Sequence, residues 1–120
     1  MTQERLDEDL TEIRAVSEDV AKAIESLERA PSAEAIAGVL RAAKVRGYRK
    51  IEGCPLARYL AAIDSKLRFA VTEETIRAWM DVLSPDEDAT AEYSFRDSSP
   101  CADFIAQFDA GRFPDLDVSQ

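Results

Sequence analysis

Residues 3–30 contain no glycine and no proline, and their apolar side chains return every three, four or seven positions. An uninterrupted stretch with that period commits the chain to helix. Leu6, Ile13, Val20 and Leu27 fall on one heptad line; Leu10, Ser17 and Ile24 fall on the line beside it, and Val16 widens the stripe. The spacing predicts one long amphipathic helix, about 40 Å at 1.5 Å per residue. Few domains of this size cover so long a helix alone. Two outcomes fit. Part of the helix projects and pairs with another chain, with Leu6, Leu10, Ile13, Val20, Ile24 and Leu27 as anchors, or the stripe lies across the chain's own core. The first outcome implies a protein partner or a homodimer.

Pro31 and Ser32 end this helix and open the next. Ser32 suits an N-cap and Glu34 suits the first turn. Ile36, Val39, Leu40 and Ala43 form an apolar face, and Gly47 is the expected stop. The first two helices should pack as an antiparallel pair. A third helix opens at Cys54-Pro55, with proline at the favoured first position. Leu56, Tyr59, Leu60 and Ile63 face inward. Residues 67–71 suit a short strand. Thr72 is read as the cap of a helix beginning Glu73-Glu74, with Ile76, Trp79, Met80 and Leu83 on its apolar face. Residues 90–96 alternate as a second strand, which should pair with 67–71. Ser99-Pro100 opens a last helix that Gly111 ends, and Phe113, Pro114 and Leu116 fold back on the core. The expected fold is mainly helical α+β, with about five helices, a small two-stranded antiparallel sheet and the long N-terminal helix. Residues 1–30 extend a compact module of residues 31–120, forming a single domain overall.

Several chemistries are excluded. The chain has no histidine, which removes Ser-His-Asp and Cys-His catalysis and histidine-ligated zinc. Two cysteines cannot form a four-thiolate metal site. None of the four glycines falls in a phosphate-loop pattern. Asp86, Asp88 and Glu92 suggest a calcium loop, but Ala91 stands where that loop needs glycine and Asp97 where it needs glutamate. No cofactor and no metal is expected. No apolar run approaches a membrane span, and the acidic start MTQERLDEDL lacks the basic and apolar blocks of a secretory signal. A cytoplasmic protein that makes no membrane contact is therefore expected.

The net charge of −9 is uneven. Residues 1–30 carry −5, residues 31–68 carry +5 and residues 69–120 carry −9. The acidic body repels polyanions. The basic middle holds Arg41, Lys44, Arg46, Arg49 and Lys50 around Tyr48, a candidate nucleic-acid patch with one stacking aromatic. The alternative is that these cations pair with the chain's own acids. A third possibility is thiol chemistry. Cys54 stands before a helix N-terminus, which stabilises a thiolate, and Cys101 stands in the first turn of another. They would act as attacking and resolving thiols, although no Cys-x-x-Cys is present and buried free cysteines are more common.

Two segments carry a resemblance. Gly53-Cys54-Pro55-Leu56-Ala57-Arg58-Tyr59-Leu60 and Phe108-Asp109-Ala110-Gly111-Arg112-Phe113-Pro114-Asp115-Leu116 are similar to segments of a group of small uncharacterised actinobacterial proteins. Those proteins carry a CPLARYL-like helix and an FDxGxYPxL-like tail. Phe113 stands where the tail pattern has tyrosine. The resemblance implies a shared module within residues 31–116 and no particular activity. The favoured expectation is a non-catalytic protein-interaction or regulatory module.

Overall fold

The computed structural model describes residues 10–80 and 91–118. Over these residues the chain forms α1 (Thr11–Val16), α2 (Glu18–Glu28), α3 (Ala33–Ala42), α4 (Pro55–Ile63), β1 (Leu67–Val71), β2 (Thr75–Met80), β3 (Ala91–Ser94) and α5 (Pro100–Asp109), then a short 3-10 turn, Pro114–Leu116. The class is α+β, with five α-helices and a three-stranded antiparallel sheet in the order β1-β2-β3 among the described residues.

The long N-terminal helix is broken. Ser17 adopts extended backbone, and its hydroxyl accepts the Val20 N–H at 3.2 Å. It is the N-cap of α2, with Glu18 and Asp19 in the first turn where the helix dipole favours acids. The break lets α1 fold back on α2, and Arg14 of α1 reaches Glu25 of α2 at 3.4 Å. Leu10, Ile13, Val20, Ile24 and Leu27 consequently all lie in one core with residues of α3, α4, α5 and the sheet. Leu6 lies outside the described residues.

The segment after β1 is a strand instead of the expected helix. Thr72 Oγ1 accepts the N–H groups of Glu74 and Thr75 at 3.1 and 3.0 Å. This is the hydrogen bonding of a helix cap, used here to close a two-residue hairpin, with the Thr72 N–H on Thr75 O at 2.9 Å. β2 then pairs with β1 from Val71↔Ile76 to Leu67↔Met80 and with β3 from Thr75↔Ser94 to Ala78↔Ala91. The strands over 67–71 and 91–94 are therefore both present but separated by β2, and the sheet has three strands where two were expected. Ile76 and Ala78 face the core; Trp79 is buried on the opposite face, outside the main cluster. Leu83 and the turn carrying Asp86 and Asp88 lie outside the described residues.

The helix caps expected at Ser32, Cys54 and Ser99 are present. α3 packs chiefly on α5, not back along α2. Gly111, at φ +85°, ends α5 with Arg112 N–H on Gln107 O and Gly111 N–H on Phe108 O. Phe113 returns to stack on Phe104 with centroids 5.1 Å apart. One polar strut crosses the interior: Glu28 at the end of α2 accepts the Tyr93 hydroxyl at 2.6 Å and also the Ser99 hydroxyl. That carboxylate ties α2 to β3 and to the start of α5. Charge-assisted bonds of this kind each contribute on the order of 1.5–3 kcal/mol.

Candidate functional site

The connection from α3 to α4 is built as an ordered loop. α3 stops at Lys44, whose φ is +59°, with Val45 N–H on Leu40 O and Lys44 N–H on Arg41 O. The expected stop, Gly47, has another task. It bridges in parallel to Asp117, with its N–H on Leu116 O at 2.8 Å and its carbonyl accepting Val118 N–H at 2.9 Å. A Cβ on Gly47 would lie within 2.7 Å of Gly53 O, Cys54 C and Pro55 N, so only glycine lets the two ends of the loop meet. Tyr48 N–H then bonds Gly53 O at 2.7 Å and Gly53 N–H bonds Lys50 O at 3.1 Å.

The six basic-patch residues separate into two groups. Arg41 is bound at two points to Asp115, at 2.6 and 3.2 Å, and also to Glu34 at 3.2 Å. The hydrogen bond from Arg41 holds the Asp115 carboxyl below its ordinary range. Arg49 is bound to Asp117 at 2.6 Å. The chain's own tail thus neutralises two of the cations. Lys44, Arg46, Tyr48 and Lys50 are exposed. Arg58, from α4, stands over the Tyr48 ring at 6.0 Å. Ile51 at 53% and Tyr48 at 44% are the most exposed large apolar side chains of the described residues. Ile51 is absent from the sequence-based site. Its signal was an isolated large apolar residue between two charges, Lys50 and Glu52, in a loop.

Two clefts flank this loop. One, of about 390 Å³, runs between Arg49, Lys50 and Ile51 and the Val71–Glu74 end of the hairpin, with Asp109 on its wall. Burial lifts the Asp109 carboxyl above its ordinary value, and nearby Arg49 opposes that shift. The second, of about 290 Å³, lies between Glu52, Arg58 and the Leu67–Phe69 end of β1, with Trp79 behind. The loop's Ile51 carbonyl divides them by accepting the Val71 N–H at 2.8 Å.

The thiols are placed unlike reactive cysteines. Cys54 borders the first cleft but is buried, and its sulfur caps α4 by accepting Ala57 N–H at 3.4 Å. Burial outweighs the helix N-terminus and pushes its pKa up to about 11. Cys101 is fully enclosed; burial raises its thiol further still, helped by Glu28. Both are free. The five described anchors of the N-terminal stripe, Leu10, Ile13, Val20, Ile24 and Leu27, are no more than 3% exposed, so none of them is presented to a partner. Among the described residues no cluster of His, Cys, Asp or Glu could hold a metal ion. No helix among them is long and apolar enough to cross a membrane. No family model, curated protein or solved structure matches the chain.

Proposed function

We propose that the chain is a non-catalytic interaction module that binds a protein partner through the 44–53 loop and not through its N-terminal helices. The observation supporting this reading is the pair Tyr48 and Ile51, exposed on a loop whose backbone is closed by its own hydrogen bonds. Exposed aromatic and aliphatic side chains beside arginine are the usual composition of an interface centre. A loop already ordered loses little entropy on binding. Arg58 stands over the Tyr48 ring, and Arg46 and Lys50 are exposed on the same loop, so the partner surface is apolar with an acidic rim. The net charge of −9 disfavours polyanions in general, and the internal pairing of Arg41 and Arg49 weakens the nucleic-acid reading.

The test is capture from the source cells by the tagged chain, with and without nuclease. It is run for the natural chain and for a Tyr48→Ala/Ile51→Asp variant whose circular dichroism and unfolding midpoint are unchanged. The expected result is a protein partner that survives nuclease with the natural chain and is lost with the variant. Recovery that collapses with nuclease overturns the reading in favour of nucleic acid. A partner retained by the variant moves the interface away from the loop.

A further inference from the structure

The first cleft, of about 390 Å³, has walls of opposite charge. The 44–53 loop brings Arg49 and Lys50 to it. The hairpin brings Glu73 and Glu74, the two residues of its turn, and α5 adds the Asp109 carboxylate. Cys54, Val71 and Ile105, each no more than 3% exposed, give the cleft an apolar floor, and Ile51 gives it an apolar rim. The walls are set by hydrogen bonds within the fold. Thr72 Oγ1 holds the turn through the Glu74 and Thr75 N–H groups, and Gly53 N–H closes the loop on Lys50 O. Ile51 O, accepting the Val71 N–H, ties the loop to the hairpin. A site built this way needs little ordering when it is filled.

The charges around the cleft are unequally matched. Arg49 is paired with Asp117 at 2.6 Å. The side chains of Lys50, Glu73 and Glu74 form no ion pair and no hydrogen bond with a described residue. Asp109 feels Arg49 without an ion pair to it, and burial still lifts its carboxyl above the ordinary value. One unmatched cation therefore shares an apolar cleft with three incompletely matched carboxylates. Among the described residues no group of carboxylates is gathered closely enough to hold a metal ion, so these are spaced for the separated charges of a molecule.

We infer that this cleft binds a small dibasic amino acid, with its carboxylate on Lys50, its two ammonium groups on Asp109 and the Glu73-Glu74 turn, and its methylene stem over Val71 and Ile105. The volume lies within the range of small-ligand sites, which are mostly apolar with a few placed polar groups. The charge count selects the class. A neutral amino acid leaves one acidic wall unmatched, and a diamine sets a cation against Lys50 with nothing in return. The inference goes beyond the interaction-module reading and does not depend on it.

The test is a titration of the full, isotope-labelled chain with free L-lysine, followed by the backbone amide signals in NMR. L-Leucine and cadaverine serve as comparison ligands, the first without the second ammonium group and the second without the carboxylate. L-Lysine should shift the Val71, Thr72 and Ile105 amides with a dissociation constant of about 1 mM or tighter. Both comparison ligands should bind more weakly. Glu73→Gln/Glu74→Gln changes only exposed turn side chains and should weaken L-lysine binding roughly threefold to tenfold. Lys50→Met should weaken L-lysine but not cadaverine, a difference that a general loss of fold would not produce. Three results overturn the inference: no shift at these amides, L-leucine or cadaverine binding as tightly as L-lysine, or full L-lysine affinity in the glutamine variant.

Discussion

Arg49 Nε donates to Asp117 Oδ2 at 2.6 Å across 68 positions of sequence, and the Asp117 side chain is 1% exposed. The loop that carries Tyr48 and Ile51 is thus fastened to the C-terminal tail by a carboxylate withdrawn from water. Removing the cation takes away a close partner of that buried charge, and a buried carboxylate that loses a charge-assisted bond is destabilising. Arg49 is itself partly exposed, and water moderates the loss. Arg49→Met should lower stability by about 1–2 kcal/mol in urea unfolding. It should also speed amide exchange at Gly47 and Val118, which close the same bridge.

Gly47 makes a sharper prediction. Its absent Cβ is what lets the loop cross the Gly53–Pro55 backbone, and backbone atoms cannot swing aside as a flexible side chain can. Gly47→Ala should destabilise the fold by about 2–3 kcal/mol through overpacking, read from the denaturant midpoint. Gly53 meets only the Tyr48 ring at 3.3 Å, so Gly53→Ala should cost clearly less.

Lys44 offers a gain. It occupies the left-handed position that ends α3, where a side chain carries steric strain that glycine avoids. Lys44→Gly should raise stability by about 0.5–1 kcal/mol, seen as a higher melting temperature. The substitution removes one exposed cation of the 44–53 loop and leaves Tyr48 and Ile51 in place, so it should weaken partner capture far less than Tyr48→Ala/Ile51→Asp does.

The buried N-terminal stripe gives a decisive test of whether α1 and α2 belong to the core. Ile13 and Val20 are both fully enclosed. Either Ile13→Asp or Val20→Asp places a carboxylate among apolar side chains without a partner, at a cost of about 4 kcal/mol or more. Loss of cooperative unfolding in the single variants is the expected result. A folded chain that merely fails to associate would restore the projecting helix.

Much of this fold was legible because local chemistry and tertiary packing agree. Ser32, Cys54-Pro55, Ser99-Pro100 and Gly111 act where their capping chemistry predicts. Two of the departures arise where one local signal serves two structures. Thr72 accepts N–H bonds from residues two and three ahead in a hairpin as readily as at a helix start, and strand pairing with Leu67–Val71 decides between them. Ser17 followed by Glu18 and Asp19 is a complete N-cap signal hidden inside a continuous apolar period. In the candidate site, the basic residues were visible from composition. Their division was not, because Asp115 and Asp117 approach from more than 65 residues away.

The cysteines contribute to the chain's behaviour in alkali, beside Tyr93, whose hydroxyl burial and Glu28 also hold protonated. Burial raises Cys54 from the ordinary 9.0 to about 11, and it moves Cys101 in the same direction. A thiol that ionises less readily folded than unfolded keeps its proton longer in the native state. Its contribution to stability is therefore complete below about pH 9 and is lost as pH rises through 9 towards 11. Urea midpoints should hold between pH 7 and pH 8.5 and then fall, and Cys54→Ser/Cys101→Ala should flatten that fall even if the variant starts less stable. Iodoacetamide at pH 8 should label both thiols far more slowly than it labels a small-molecule thiol, at a rate that climbs with urea as the fold opens. Fast labelling of Cys54 in the native state would mean that the first cleft opens to its sulfur, and would return thiol chemistry to consideration.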